Sequence, residues 1–100
     1  MAVVIKWANE ATETFDKNIS YLQEGWSERE ITNFIRQTNH ILARIARYPE
    51  MYPASPKSPR IRRAIVNKHI TLYYRYFSTK REIVLLTFWH NKQHPGKLKY

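Results

Sequence analysis

Ile70-Thr71-Leu72-Tyr73-Tyr74-Arg75-Tyr76-Phe77, then Ser78-Thr79-Lys80-Arg81, then Glu82-Ile83-Val84-Leu85-Leu86-Thr87-Phe88-Trp89-His90, is the stretch that decides the fold. Both outer runs are rich in β-branched and aromatic residues, and the four polar residues between them are a hairpin-length joint. Two antiparallel neighbouring strands are therefore predicted, at about 70–77 and 82–90. Along the first, Ile70, Leu72, Tyr74 and Tyr76 share one face, and Thr71, Tyr73, Arg75 and Phe77 share the other. The second is apolar on both sides, with Ile83, Leu85 and Trp89 on one face and Val84, Leu86 and Phe88 on the other. That pattern marks a central strand.

Upstream, Arg60–Val66 reads as a third strand, joined to the hairpin by Asn67-Lys68. Pro49, Pro53, Pro56 and Pro59 punctuate the preceding stretch, where missing donors and fixed φ exclude a helix or a central strand. It reads as a restrained crossover loop. Two amphipathic helices come before it. The first, about Asn9–Glu24, carries Ala11, Phe15, Ile19 and Leu22 at helical spacing and stops at Gly25. The second runs to about Arg47 on Ile31, Phe34, Ile35, Ile41, Leu42 and Ile45. Ser27-Glu28-Arg29-Glu30 has the form of a capping box, with Trp26 and Ile31 placed as a hydrophobic staple. Val3–Trp7 is a short first strand. The expected order is β-α-α-β-β-β in one domain, residues 1–100. This is an α+β fold with an antiparallel-dominated sheet, an αα-hairpin on one face, and the other face left to act.

Charge divides the chain. Residues 1–50 hold six Lys/Arg against seven Asp/Glu, a net of −1, while residues 51–100 hold eleven against Glu82 alone, a net of +10. Such a half presents a field to something anionic: a nucleic-acid backbone, an acidic protein segment or an anionic surface. No cysteine is present, which excludes a disulfide framework, a thiolate metal site and a thiol nucleophile. The strongly apolar run Ile83–Trp89 is too short to span a bilayer, and the N-terminus lacks a signal-peptide core, so a cytoplasmic protein with no membrane partner is expected.

Much chemistry is missing. With Gly25 and Gly96 as its only glycines, the chain has no phosphate-cradling loop. His40, His69, His90 and His94 show no compact ligand spacing, so neither a metal nor a cofactor is expected. There is no nucleophile elbow, and the second helix has no basic N-terminal face for reading DNA. What remains is a constellation of Lys57, Arg60, Arg62, Arg63, Lys68, Arg75, Lys92, Lys97 and Lys99 interleaved with Tyr73, Tyr76, His90, His94 and Tyr100. Guanidinium forks and aromatic faces suit a single strand, phosphates by charge and bases by stacking. Metal-free RNA cleavage needs more: a base, an acid and cations at the phosphate, roles for which His90 with Arg62 and Arg75 are the candidate catalytic residues.

Several motifs, in order, resemble one family. They are a first strand ending in Trp7, a helix opened by Glu10-Ala11, the Trp26-Ser27-Glu28 joint and Pro49 after the second helix. Then come Arg62-Arg63-Ala64-Ile65-Val66, Tyr73-Tyr74-Arg75-Tyr76 and the closing Phe88-Trp89-His90-Asn91-Lys92-Gln93-His94-Pro95-Gly96-Lys97-Leu98. Together they resemble the RelE/ParE superfamily, toxins of bacterial type II toxin–antitoxin modules, over nearly the whole chain. The resemblance implies a small basic toxin neutralised by a cognate acidic antitoxin protein. RelE-like members cut mRNA on the ribosome without metal, whereas ParE-like members poison DNA gyrase. The closing stretch is nearer the ParE-like and plasmid-stabilisation pattern Phe-Phe-Asp-x-Arg-Gln-x-Pro, with His90 at the Asp position and Lys92 at the Arg position.

Two mechanisms stay open on this reading. As a gyrase inhibitor the chain would use Lys57, Arg60, Arg62, Arg63, Lys68, Arg75, Lys92, Lys97 and Tyr100 as contacts. As a ribosome-dependent endoribonuclease, Arg62 and Arg75 would hold phosphate and His90 would move the proton. The binding protein is the preferred expectation, because no second proton-transfer side chain stands out beside His90. A non-toxic RNA-binding domain is the remaining class.

Overall fold

The computed structural model describes residues 3–25, 27–93 and 95–100, with the side chains of Leu22, Gln23 and Pro95 left aside. The staple partner Trp26, the Leu22 position of the stripe and His94 therefore lie outside what is described. The elements follow the expected order: β1 (Val4–Trp7), α1 (Asn9–Gly25), α2 (Glu28–Arg47), β2 (Ala54–Ser55), β3 (Ser58–Ile65), β4 (Ile70–Phe77) and β5 (Glu82–His90), with a 3-10 turn at Pro95–Lys97. The sheet order β1-β5-β4-β3-β2 puts the hairpin of the deciding stretch at its centre. β1 lies parallel to β5, Val4 beside Glu82 and Trp7 beside Leu85, and the other pairings are antiparallel. The helix pair carries the chain from β1 at one edge of the sheet to β2 at the other.

β2 is an addition to the expected order. It sits inside the proline-rich crossover as a two-residue edge strand, where a missing donor costs little. Pro59 fits for the same reason, since the ladder of β3 with β4 begins only at Ile61.

The helix-covered face of the sheet contributes Ala64, Val66, Ile70, Leu72, Tyr74, Ile83, Leu85 and Phe88 to one core with Ala11, Phe34 and Ile45. β5 reaches it by a route that corrects the strict alternation. Tyr73 pairs with Thr87 but Tyr74 pairs with Leu85, so Leu86 is an extra residue and the strand bulges there. One extra residue moves every later side chain to the opposite face. Phe88 therefore joins Ile83 and Leu85 in the core, and Trp89 does not.

The helices follow their stripes with two corrections. Phe15 stacks on Phe34 with ring centroids 5.2 Å apart, and Trp7 meets Phe15 edge-on at 5.4 Å. Ile35, placed in the stripe of α2, is 40% exposed, and Thr38 is buried, its hydroxyl donating to the Phe34 carbonyl at 2.9 Å. The capping box does not form. Ser27 is the N-cap with extended backbone, but its hydroxyl caps nothing, and the Glu30 N–H donates to the Ser27 carbonyl at 3.0 Å. The amide that a capping hydroxyl would satisfy already has an acceptor.

β1 ends at Trp7, so β5 beyond Leu85 has no strand on that side, and α1 takes its place. The Thr14 hydroxyl accepts the Phe88 N–H at 2.9 Å and donates to the Glu10 carbonyl at 2.7 Å. Asn18, 7% exposed, donates through Nδ2 to the Phe88 carbonyl at 3.1 Å and to the Thr14 carbonyl at 2.9 Å. Both main-chain groups of Phe88 are thus satisfied by helix side chains, which keeps an otherwise open edge paired.

Candidate functional site

The cations of the basic half gather at the two ends of the β3–β4–β5 ladder. At one end Arg62 pairs with Tyr74 and Ile61 with Arg75, so adjacent β3 and β4 positions carry guanidiniums. Arg60, Arg62 and Arg75 line one cavity of about 170 Å³ together with Glu50. Arg62 is tied down: its Nη1 donates to the Glu50 carbonyl at 3.0 Å and the Tyr52 carbonyl at 2.7 Å, fastening the proline-rich crossover to β3. Beside it the fully buried Tyr74 donates its hydroxyl to the Pro49 carbonyl at 2.8 Å. Burial keeps that phenol protonated well above its ordinary range, although Arg62 pulls the other way. The Arg75 guanidinium lies 4.5 Å from the centre of the Phe77 ring, with the Lys80 ammonium 5.9 Å from the same ring. Register puts Arg62 on the Tyr74 face and Arg75 on the Ile61 face, so the two flank this cavity from opposite sides of the sheet, and no imidazole lines it.

At the other end of β4, His90 pairs with Ile70. Its ring lies parallel to that of His69 at 6.1 Å and meets Tyr21 of α1 edge-on at 5.5 Å. Its Nδ1 accepts the Lys92 N–H at 3.2 Å, which leaves the proton of the neutral ring on Nε2. Burial first, then the neighbouring His69 and Lys92, lowers the His90 pKa below the ordinary imidazole value, so the ring is neutral near pH 7. His90 borders a cleft of about 410 Å³ between α1 and the end of β5.

The sequence-predicted site residues are therefore divided. Arg60, Arg62 and Arg75 come together, but His90 does not join them. Five residue steps along β4 separate its pairing partner Ile70 from Arg75, which is about 17 Å at the usual strand rise. The remaining cations lie elsewhere. Arg63 is exposed and borders a groove with His40 and Arg44 of α2. Lys68 is exposed in the β3–β4 turn, where its carbonyl accepts from Asn91 at 3.2 Å. Lys97 is exposed on the 3-10 turn. Lys57 donates to the Leu98 carbonyl, Ser55 donates to the Tyr100 carbonyl, and Lys99 pairs with Glu10 at 3.4 Å. The tail thus touches β2, the turn before β3 and the first turn of α1. The face away from the helices is not bare, since Tyr73 upon it is 5% exposed while standing outside the main core.

Sequence reasoning passed over Lys17, Asn18 and Tyr21, which border the His90 cleft from α1. Thr14, Asn18 and Tyr21 stand at helical spacing beside the apolar stripe, so a polar row facing the sheet edge was there to be read. Among the described residues no group of three His, Asp or Glu side chains could hold a metal ion, and no helix is long and apolar enough to cross a membrane.

No protein-family model and no curated protein sequence matches this chain. Solved structures do share its fold. A chain of the chromosomal ParDE TA system from P. aeruginosa superposes with a TM-score of 0.72 at 12% identity, over 88% of this chain and 95% of that one. The YoeB/ParE toxin from Agrobacterium tumefaciens gives 0.64 at 9% identity, over 88% and 98%. A chain of the toxin-antitoxin complex RelBE2 from Mycobacterium tuberculosis gives 0.63 at 14% identity, over 90% and 92%. At these identities the likeness is one of fold, and it extends over nearly the whole length of each.

Proposed function

We propose that this chain is the toxin of a type II toxin–antitoxin pair, and that it acts in the cytoplasm by binding DNA gyrase rather than by cutting RNA. The shared fold with the ParDE, YoeB/ParE and RelBE2 chains supports the toxin reading, as does the family pattern of motifs along the sequence. The observation that carries binding over cleavage is the division of the site. A phosphodiester is cut only if the proton-transfer group lies within hydrogen-bond reach of the atoms that the cations hold. Here the backbone position of His90 stands about 17 Å along the sheet from that of Arg75, at the usual rise per residue.

The arginine end is instead equipped to hold. Arg62 is fixed by two carbonyls, Arg75 is braced over Phe77, and Arg60 is exposed. Preset guanidiniums lose little freedom on meeting a carboxylate, which suits docking onto an acidic protein surface. The same surface suits a co-expressed acidic antitoxin, whose binding would block the target.

Induction of the chain in bacteria, with primer extension on a reporter mRNA beside a DNA supercoiling assay in extract, tests this. Growth arrest with blocked supercoiling and intact message is expected. A cut message with normal supercoiling would replace this reading with the nuclease one.

A further inference from the structure

Pro53 leaves one edge of the sheet open. β2 runs antiparallel to β3 through the pair Ala54–Arg62, and the Pro53 carbonyl just before it accepts the Arg63 N–H at 3.0 Å. The reciprocal bond, from residue 53 to the Arg63 carbonyl, cannot form because proline has no N–H. β2 starts only after it, at Ala54, and no other strand lies outside β3. Further along, Val66 donates to the Ile70 carbonyl at 3.0 Å. By antiparallel alternation Ala64 and Val66 turn their main-chain groups to β4, and Arg63 and Ile65 turn theirs outward. The Arg63 carbonyl and both main-chain groups of Ile65 thus face away from the sheet with no strand to meet them.

A groove of about 450 Å³ follows this edge, walled by His40, Ile41 and Arg44 of α2 and by Arg63 and Ile65 of β3. Ile65 is 69% exposed, the most of any large apolar side chain among the described residues. Arg63 alone would only guard the edge against self-pairing, but an apolar side chain beside open main-chain groups invites an added strand. Two of the three open groups are carbonyls, which accept from amide N–H groups and repel phosphate oxygens. A nucleic-acid strand is therefore a poor match. Among the described residues no carboxylate lines the groove, and Arg44 and Arg63 are exposed beside it without an ion pair. A second copy of the chain, itself at +9, would set these arginines against their own kind. Acidic side chains would neutralise them.

We propose that the β3 edge beyond β2 takes an extended acidic segment of a partner protein as an added antiparallel strand. One residue of that segment exchanges both main-chain bonds with Ile65, and the residue two places on donates to the Arg63 carbonyl. The side chain opposite Ile65 is apolar, and those that follow carry carboxylates toward Arg44 and Arg63. The groove shares no lining residue with the cavity at the arginine end, so the proposal stands whether or not gyrase is the target.

The test is an NMR titration of the full chain with the peptide acetyl-Glu-Glu-Val-Glu-Glu-amide, following amide shifts and solvent exchange. In the free chain the Ile65 amide should exchange fast while those of Ala64 and Val66 are protected. Saturating peptide should slow the Ile65 amide about tenfold or more, leaving the amides of Arg75 and His90 unmoved. Methylating the valine nitrogen of the peptide, which removes the donor to the Ile65 carbonyl, should weaken binding about tenfold. Acetyl-Lys-Lys-Val-Lys-Lys-amide should bind only the double variant Arg44→Glu/Arg63→Glu, which should in turn refuse the acidic peptide. An oligouridylate RNA that slowed the Ile65 amide as the peptide does would give the edge to nucleic acid and overturn the proposal. So would an Ile65 amide already protected in the free chain, equal binding of the methylated peptide, or no shifts at millimolar peptide.

Discussion

The two ends of the β3–β4–β5 ladder are made from the same strands and hold different chemistry. The arginine end has permanently charged forks, tied to carbonyls and braced on an aromatic ring, and no imidazole lines it. The histidine end has a neutral imidazole, flexible lysines and a cleft walled by a helix. Charge count alone would make them one basic surface. The strand between them, fixed by the register of β4 against β5, makes them two sites.

The strongest way to break this comparison is to loosen the strand that holds the ends apart. Leu85 is fully buried midway along β5, and Leu85→Ala should destabilise the fold by about 2–5 kcal/mol, read by denaturant unfolding. Val84→Ala, on the face away from the helices, should cost far less. Equal costs would mean that the core does not lie on the helix side.

A sharper cut reaches one end only. Asn18→Ala removes the buried amide that serves the Phe88 carbonyl, and should cost about 1–3 kcal/mol. Hydrogen exchange should then quicken along α1 and at Phe88 and His90, while amides near Arg62 and Arg75 keep their protection. Uniform loss of protection would show that the ends are not independent.

Most of the frame was legible before any coordinates. Period-two alternation placed β4 and β5 at their observed bounds, and the helical stripes placed α1 and α2, because burying an apolar face is what the chain must do. Other features were not legible. The Leu86 bulge has no glycine or proline to mark it, so the alternation appeared unbroken and Phe88 was assigned to the wrong face. The capping box was read from residue types, but the Glu30 amide had a closer acceptor in the Ser27 carbonyl. The candidate site was half legible. Basic residues were easily found, yet which of them share a cavity depends on register, and the helix residues Lys17, Asn18 and Tyr21 lie in the half without excess charge.

The ends should also differ in their response to acid. An unfolded histidine titrates at about 6.5. In the folded chain burial, His69 and Lys92 depress the His90 value, so the unfolded form binds more protons between the two pKa values. The stability that neutral His90 contributes is complete above about pH 6.5 and is lost as pH falls through its folded pKa. Lys17 and Tyr21 of α1 also border the cleft. Thermal unfolding from about pH 7.5 to 5 should therefore show a slope that His90→Gln reduces and Arg75→Gln does not. The smallest effect belongs to a residue that serves neither end. Ser27→Ala should change stability by less than about 0.5 kcal/mol, because no capping bond is lost. A loss of about 1 kcal/mol would show that the hydroxyl caps the helix after all.

The central claim is that the arginine end acts on the target and the histidine end does not. Growth arrest on induction measures it directly, comparing His90→Ala with the double variant Arg60→Ala/Arg75→Ala at matched protein levels. His90→Ala should arrest growth as the unmodified chain does, and the double arginine variant should let cells grow. Arrest abolished by His90→Ala and kept by the arginine variant would contradict the account.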